Sequence, residues 1–218
     1  EKHWRTQGYV PTVMDSLDLW SQHRARAVKT APPQRIALLG ASRIQYGLAP
    51  DVFRDETHKM GLNVDPIMLA VNGHYPLAAL RDLAEDDRFV GVAVVGIDSR
   101  GMDRKVWEMQ AKHVHHYHHD WSPSRELHRR LLTRVQEHAI AARPDFAFVT
   151  LIKRYIDGHG APYKEYVTFG RDRAGGTDYV KSDITAIRNA RVADLRKYYP
   201  LYTPPTPDVW LNEMREVV

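Results

Sequence analysis

A serine at the end of a buried strand can act as a nucleophile when donors for the developing oxyanion and a base for its proton converge on it. One stretch of the chain offers such a serine. Arg35-Ile36-Ala37-Leu38-Leu39 is a short apolar run, bounded by Pro32-Pro33 on one side and by Gly40-Ala41-Ser42-Arg43 on the other. It reads as a fully buried parallel strand. Ser42 then lies at the strand's carboxyl end, where open α/β sheets hold their ligands, beside helix-terminal N–H groups able to stabilise an oxyanion. A second reactive group is the run His113, His115, His116, His118 and His119. On a helix, His115 and His119 are i,i+4 neighbours, as are His116 and Asp120, and histidine alone can ligate zinc, copper or nickel. The run has no His-Glu-x-x-His frame. It reads as a solvated histidine face, and no metal or other cofactor is assigned to it.

The elements that must position Ser42 follow from hydrophobic periodicity. Residues 63–71 read as a second strand ending in Asn72-Gly73, and residues 91–97 as a third ending in Asp98. Between them, residues 76–86 form a helix with Leu77, Leu80 and Leu83 on one side. After Ser42, the breakers Gly47 and Pro50 exclude one continuous helix; a short turn and then a helix from Pro50-Asp51 are expected. This alternation is that of a doubly wound, flavodoxin-like parallel sheet with right-handed crossovers. Ahead of it, residues 1–30 form an N-terminal helical segment with Val13, Leu17 and Trp20 about a turn apart, and Arg24-Ala25-Arg26 suits a helix C-terminus.

Gly40-Ala41-Ser42, Asn72-Gly73 and Asp98, each at the end of a strand and in this order, resemble the first three blocks of the SGNH (GDSL-like) hydrolases. The resemblance covers residues 34–102. It implies Ser42 as nucleophile and the Gly73 N–H as an oxyanion-hole donor, with Asp98 at the position where the family usually carries a hole-forming asparagine. An ionised Asp98 is an acceptor and would repel an oxyanion; the Asn72 amide is a donor that could replace it. Arg43 could pair with an anionic substrate or with Asp98, and His74, next to Gly73, is a candidate substrate contact. The family's final Asp-x-x-His block has no counterpart near the C-terminus. The one Asp-x-x-His in the chain, Asp55-Glu56-Thr57-His58, reads as a solvated helix end.

The resemblance further implies an esterase or acyltransferase acting on ester groups, O-acetyl groups of a cell-envelope polysaccharide among them. The alternative is a catalytically inactive SGNH-like binding or assembly module. It also implies a periplasmic or otherwise extracytoplasmic protein, with a membrane tether N-terminal to this chain. Thr206-Pro207 starts a helix carrying Trp210, Leu211, Met214, Val217 and Val218. Such a helix is normally followed by another strand, so the expectation is a chain that continues beyond residue 218, with the missing Asp and His in that part.

Residues 103–200 depart from simple alternation and read as a largely helical insertion within an SGNH-like domain spanning 31–218. Ser122-Pro123 starts a helix with Leu127, Leu131, Val135 and Ala139 as an apolar stripe reaching Arg143, and residues 146–152 fit helix or strand equally. Residues 157–160 and 171–176 are turn-like, residues 163–169 alternate like an edge strand, and Asp183 caps a further helix whose face carries Ile184, Ile187, Arg191 and Leu195.

Composition bounds the remaining classes. With 218 residues, 43% hydrophobic and 27% charged, the chain suits one soluble globular domain. A net charge of +4 is spread along the sequence, with no basic block interleaved with aromatics, so nucleic acid is not a favoured partner. The absence of cysteine excludes disulfides, thiolate metal sites and cysteine nucleophiles. A dinucleotide-binding reading is weakest, because Gly40-Ala41-Ser42-Arg43-Ile44-Gln45 lacks the later glycines of that fingerprint and no P-loop lysine follows.

Overall fold

The structure, a computed structural model, describes residues 1–29, 33–98, 101, 103–162, 166–181, 184–198 and 215. In chain order these form α1 (Lys2–Thr6), α2 (Leu17–Ala27), β1 (Gln34–Leu39), α3 (Ser42–Gly47), α4 (Pro50–Lys59), β2 (Val64–Met68), α5 (Leu77–Ala84) and β3 (Val92–Val95). A 3-10 helix (Arg104–Gln110), α6 (Ala111–His115) and a π-helical turn (His116–Asp120) follow without interruption. The chain continues through α7 (Pro123–Gln136), α8 (Phe148–Ile156), β4 (Val167–Phe169), β5 (Gly175–Thr177) and α9 (Ile184–Tyr198). The expected starts at Tyr163 and Asp183, and the helix expected after Thr206-Pro207, lie outside the described residues.

The chain divides into two compact units; among the described residues one holds 15–129 and 172–174, the other 1–14, 130–171 and 175–198. The first is a mixed α/β unit built on a parallel three-stranded sheet of order β2-β1-β3, with Ile36 opposite both Pro66 and Val92. Pro66 lacks an N–H, and β2 tolerates it because among the described residues this strand is paired on one side only. On one face of the sheet, Ala37, Leu39, Ile67 and Leu69 pack with Trp20 of α2 and with Ala79 and Leu83 of α5. On the other, Leu38, Met68 and Ala70 pack with Ile44 of α3 and with Leu48. β3 departs from the uniform burial that its apolar sequence suggests: Ala93 and Val95 join the Trp20 cluster, whereas Val92 and Val94 are exposed.

Local chemistry accounts for the element ends. Ser16 caps α2 by accepting from the Leu19 N–H at 3.3 Å, so the helix starts after Val13, which the spacing had placed on it. The expected turn after Ser42 is a helix, α3, and the break before α4 falls where Leu48 and the pre-proline Ala49 are extended. The basic end of α2 does more than complement a helix terminus. Arg24 is fully buried and donates to Asp82 at 2.5 Å and to Asp86 at 3.0 Å.

In the other unit Trp4, Tyr9 and Phe146 meet edge to face around buried Ile140, and β4 pairs antiparallel with β5. Two segments beyond residue 121 differ from expectation. The Leu127–Leu131–Val135 stripe does not face a core: all three are exposed, the helix stops at Gln136, and its buried positions are Arg129, Thr133 and Gln136. The buried Gln136 amide is satisfied within its unit, accepting from the Met14 N–H at 3.2 Å and donating to the Ala142 carbonyl at 3.4 Å. Second, residues 171–176 are not all turn, because Gly175 and Gly176 belong to β5. The segment 146–152, open between helix and strand, is a 3-10 turn ending at Phe146 followed by α8.

Candidate active site

The three strand ends singled out in the sequence meet at the carboxyl edge of the sheet. The Gly40 carbonyl, just past β1, accepts from the Val71 N–H at 3.0 Å, and the Gly96 N–H, just past β3, donates to the Leu39 carbonyl at 2.8 Å. Gly40 and Gly96 leave room for α3: a Cβ added to either would fall within 2.5 Å of the Ile44 side chain. Ile44 thus packs directly on two bare stretches of backbone, and α3 is seated tightly enough to hold Ser42 at its first position.

The second loop is stitched to this helix as well. Gln45, fully buried, accepts from the Asn72 N–H at 2.7 Å and donates to Asp15 at 2.7 Å. The Gly40–Val71 and Gln45–Asn72 bonds bracket Ser42 along the chain and join its loop to the residues that lead into the Asn72-Gly73 turn. Gly73 adopts φ +76, a left-handed conformation that suits glycine, in a turn closed by the His74 N–H on the Val71 carbonyl at 3.0 Å. Among the described residues, neither the Ser42 N–H and hydroxyl nor the Gly73 N–H makes a hydrogen bond. Ser42 is half-buried and Asn72 and Gly73 are exposed. The Asn72 backbone donor is used by Gln45, which leaves its side-chain amide as the donor it can offer.

Asp98 does not act as a donor. Its carboxylate accepts from Arg43 at 2.8 Å and from the Gly101 N–H at 3.2 Å. Of the two partners foreseen for Arg43, the structure pairs it with Asp98.

His74 and His113 form an edge-to-face pair with ring centroids 5.7 Å apart, and His113 also lies 5.5 Å from the Trp20 ring. Both Nδ1 atoms are buried without a hydrogen-bond partner among the described residues. Burial pushes the His113 imidazole down to about 4, with the Arg173 charge adding to the effect. His74 is lowered too, by burial first and Lys112 second. Both rings are therefore neutral near pH 7. Gln110 is fully buried behind them, its Nε2 3.4 Å from the Gly40 and His74 carbonyls and its Oε1 unpartnered. Among the described residues no histidine is hydrogen-bonded to Ser42.

Four residues around the site carried no readable signal. Gln45, Gln110, Asp15 and Arg173 have ordinary polar side chains at unremarkable spacings. Arg173, at φ 63 in a segment read as turn, is buried with its guanidinium on Asp15 at 2.7 Å and on the Met68 carbonyl at 2.8 Å.

The histidine run is split among different tasks. His116 Nδ1 lies 2.9 Å from Ser21 Oγ and its Nε2 3.2 Å from Asp18, while His118 Nε2 lies 2.5 Å from Asp82. These contacts clamp the π-helical turn onto α2 and α5. The His115 and His119 rings lie 4.4 Å apart, tilted by 36°, on the wall of a cavity of about 330 Å³ that also carries Glu85 and Glu108. Among the described residues no group of three or more histidine, aspartate or glutamate side chains is arranged to hold a metal ion. No helix among them is long and apolar enough to cross a membrane.

Fold and site together define a parallel α/β unit with a free serine hydroxyl at the carboxyl edge of its sheet. No family model, no curated protein and no solved structure matches the chain.

Proposed function

We propose that this chain is an SGNH-like serine esterase or acyltransferase, built on a doubly wound, flavodoxin-like sheet and acting on ester groups, with O-acetyl groups of a cell-envelope polysaccharide as the substrate class the resemblance implies. One observation carries the reading: the Ser42 hydroxyl and the Ser42 and Gly73 N–H groups are unengaged, in two loops that the Gly40–Val71 and Gln45–Asn72 bonds join. In this mechanism the Ser42 oxygen attacks the ester carbonyl while a base takes its proton. The two N–H groups and the Asn72 amide receive the negative charge as it develops on the carbonyl oxygen. His74, neutral and next to Gly73, contacts the substrate, as does the largely exposed Arg43. On the same resemblance we assign the protein to the periplasmic or extracytoplasmic side of a membrane, tethered N-terminally.

A second reading, an inactive SGNH-like binding or assembly module, is favoured by the engagement of Asp98 with Arg43 and by the lack of a histidine bonded to Ser42 among the described residues. Labelling with a fluorophosphonate and hydrolysis of aryl acetates separate the two. The esterase reading expects both in the natural full-length protein and neither in its Ser42→Ala variant, with circular dichroism unchanged. Equal hydrolysis by the two overturns it, and an unreactive Ser42 in the full-length protein leaves the binding module.

A further inference from the structure

Helix α8 is amphipathic with its apolar side outward. Viewed down its axis at 100° per residue, Phe148, Val149, Ile152, Tyr155 and Ile156 fall on one side. Phe148, Val149, Tyr155 and Ile156 are each at least 75% exposed. The side turned toward its own unit carries Thr150, Leu151 and Arg154, which are half-buried. Arg154 is committed there, donating to the Ala161 carbonyl at 3.0 Å and bonded to those of His159 and Gly160. Lys153, at the margin of the apolar face, is exposed and has no partner among the described residues. A single exposed leucine means little, but a contiguous face with two aromatics and a flanking lysine marks an interaction surface.

The charge of the unit says what covers this face. Counted along the sequence, lysine and arginine exceed aspartate and glutamate in 1–14, 130–171 and 175–198, whereas the two signs balance in 15–129 and 172–174. A second copy docking through the same face would bring two basic units together, which charge repulsion opposes. An anionic lipid surface fits both features, because it accepts an apolar helix face at the acyl boundary and attracts the basic unit through its headgroups.

We propose that the outward face of α8 docks this unit onto the surface of an anionic bilayer, independently of the chemistry at Ser42 and of any tether. The test is co-sedimentation of the whole chain with phosphatidylcholine vesicles, with and without about one third phosphatidylglycerol. Binding to the anionic vesicles is expected to be at least about tenfold tighter and to weaken with added salt. The Phe148→Ser/Tyr155→Ser double variant is expected to lose it while keeping the wild-type circular dichroism, and Lys153→Glu to weaken it severalfold. Failure to sediment with anionic vesicles overturns the proposal, as does binding that the double variant leaves unchanged. A concentration-dependent dimer abolished by the double variant, without vesicle binding, assigns the face to a second copy instead.

Discussion

The Arg43 guanidinium lies 2.8 Å from the Asp98 carboxylate, so the side chain that follows the serine pairs with a carboxylate in the loop after the third strand. In the esterase proposed above, oxyanion stabilisation would then fall to the Ser42 and Gly73 N–H groups and to the Asn72 amide, because a carboxylate paired in this way offers no donor.

Exchanging the acceptor for a donor tests that arrangement. Asp98→Asn removes the negative charge beside the serine and adds an amide N–H, so ester hydrolysis is expected to rise by about tenfold or more, given that one hole donor is worth about 10²–10³ in rate. Arg43 is largely exposed, and loss of such a pair costs only about 0.2–1 kcal/mol of stability. The comparison is kcat/KM for an aryl acetate with Asp98→Asn, Asp98→Ala and wild type. An asparagine variant no faster than the alanine variant counts against a hole at this position.

Arg24 makes a second prediction. It is fully buried on Asp82 and Asp86, and Asp82 also receives His118. Asp82→Ala strips the guanidinium of its closest counter-charge and is expected to cost about 3–5 kcal/mol in denaturant unfolding. A loss below about 1 kcal/mol would mean that Asp86 and the Tyr117 ring, 5.0 Å from the guanidinium carbon, suffice to hold Arg24.

The buried imidazole of His113 gives a pH dependence of definite sign. Its folded value, pushed down to about 4, lies below the ordinary value of 6.5, so the unfolded chain binds the proton more readily. The stabilisation is complete above about pH 6.5 and is lost as pH falls from there toward 4. Urea midpoints measured near pH 7.5 and near pH 4.5 are expected to drop more for wild type than for His113→Phe. Parallel drops would show that His113 accepts its proton without penalty.

Much of the α/β unit was legible in the sequence because local signals there agree. Three apolar runs became the three parallel strands, but the second and third stop at Met68 and Val95, earlier than their apolar runs, so Ser42, Asn72-Gly73 and Asp98 lie in the loops that follow the strands. Beyond residue 100 the same rules lost their hold. The stripe of α7 is well formed as a pattern, yet periodicity identifies an amphipathic helix without saying which side is covered, and here the covered positions are Arg129, Thr133 and Gln136.

Sequence alone therefore determined the kind of chemistry open to the chain: a serine, no cysteine, a glycine turn and the order in which they occur. Tertiary structure decided what each group has for company. It joined Arg43 to Asp98, set Gln45 between Asp15 and Asn72, buried Gln110 behind His74 and His113, and left the apolar side of α8 facing outward. Those outcomes depend on residues far apart in the chain, and a partner's distance in space has no expression in local spacing. A buried arginine or a neutral histidine is a property of its neighbours, and only the fold supplies them.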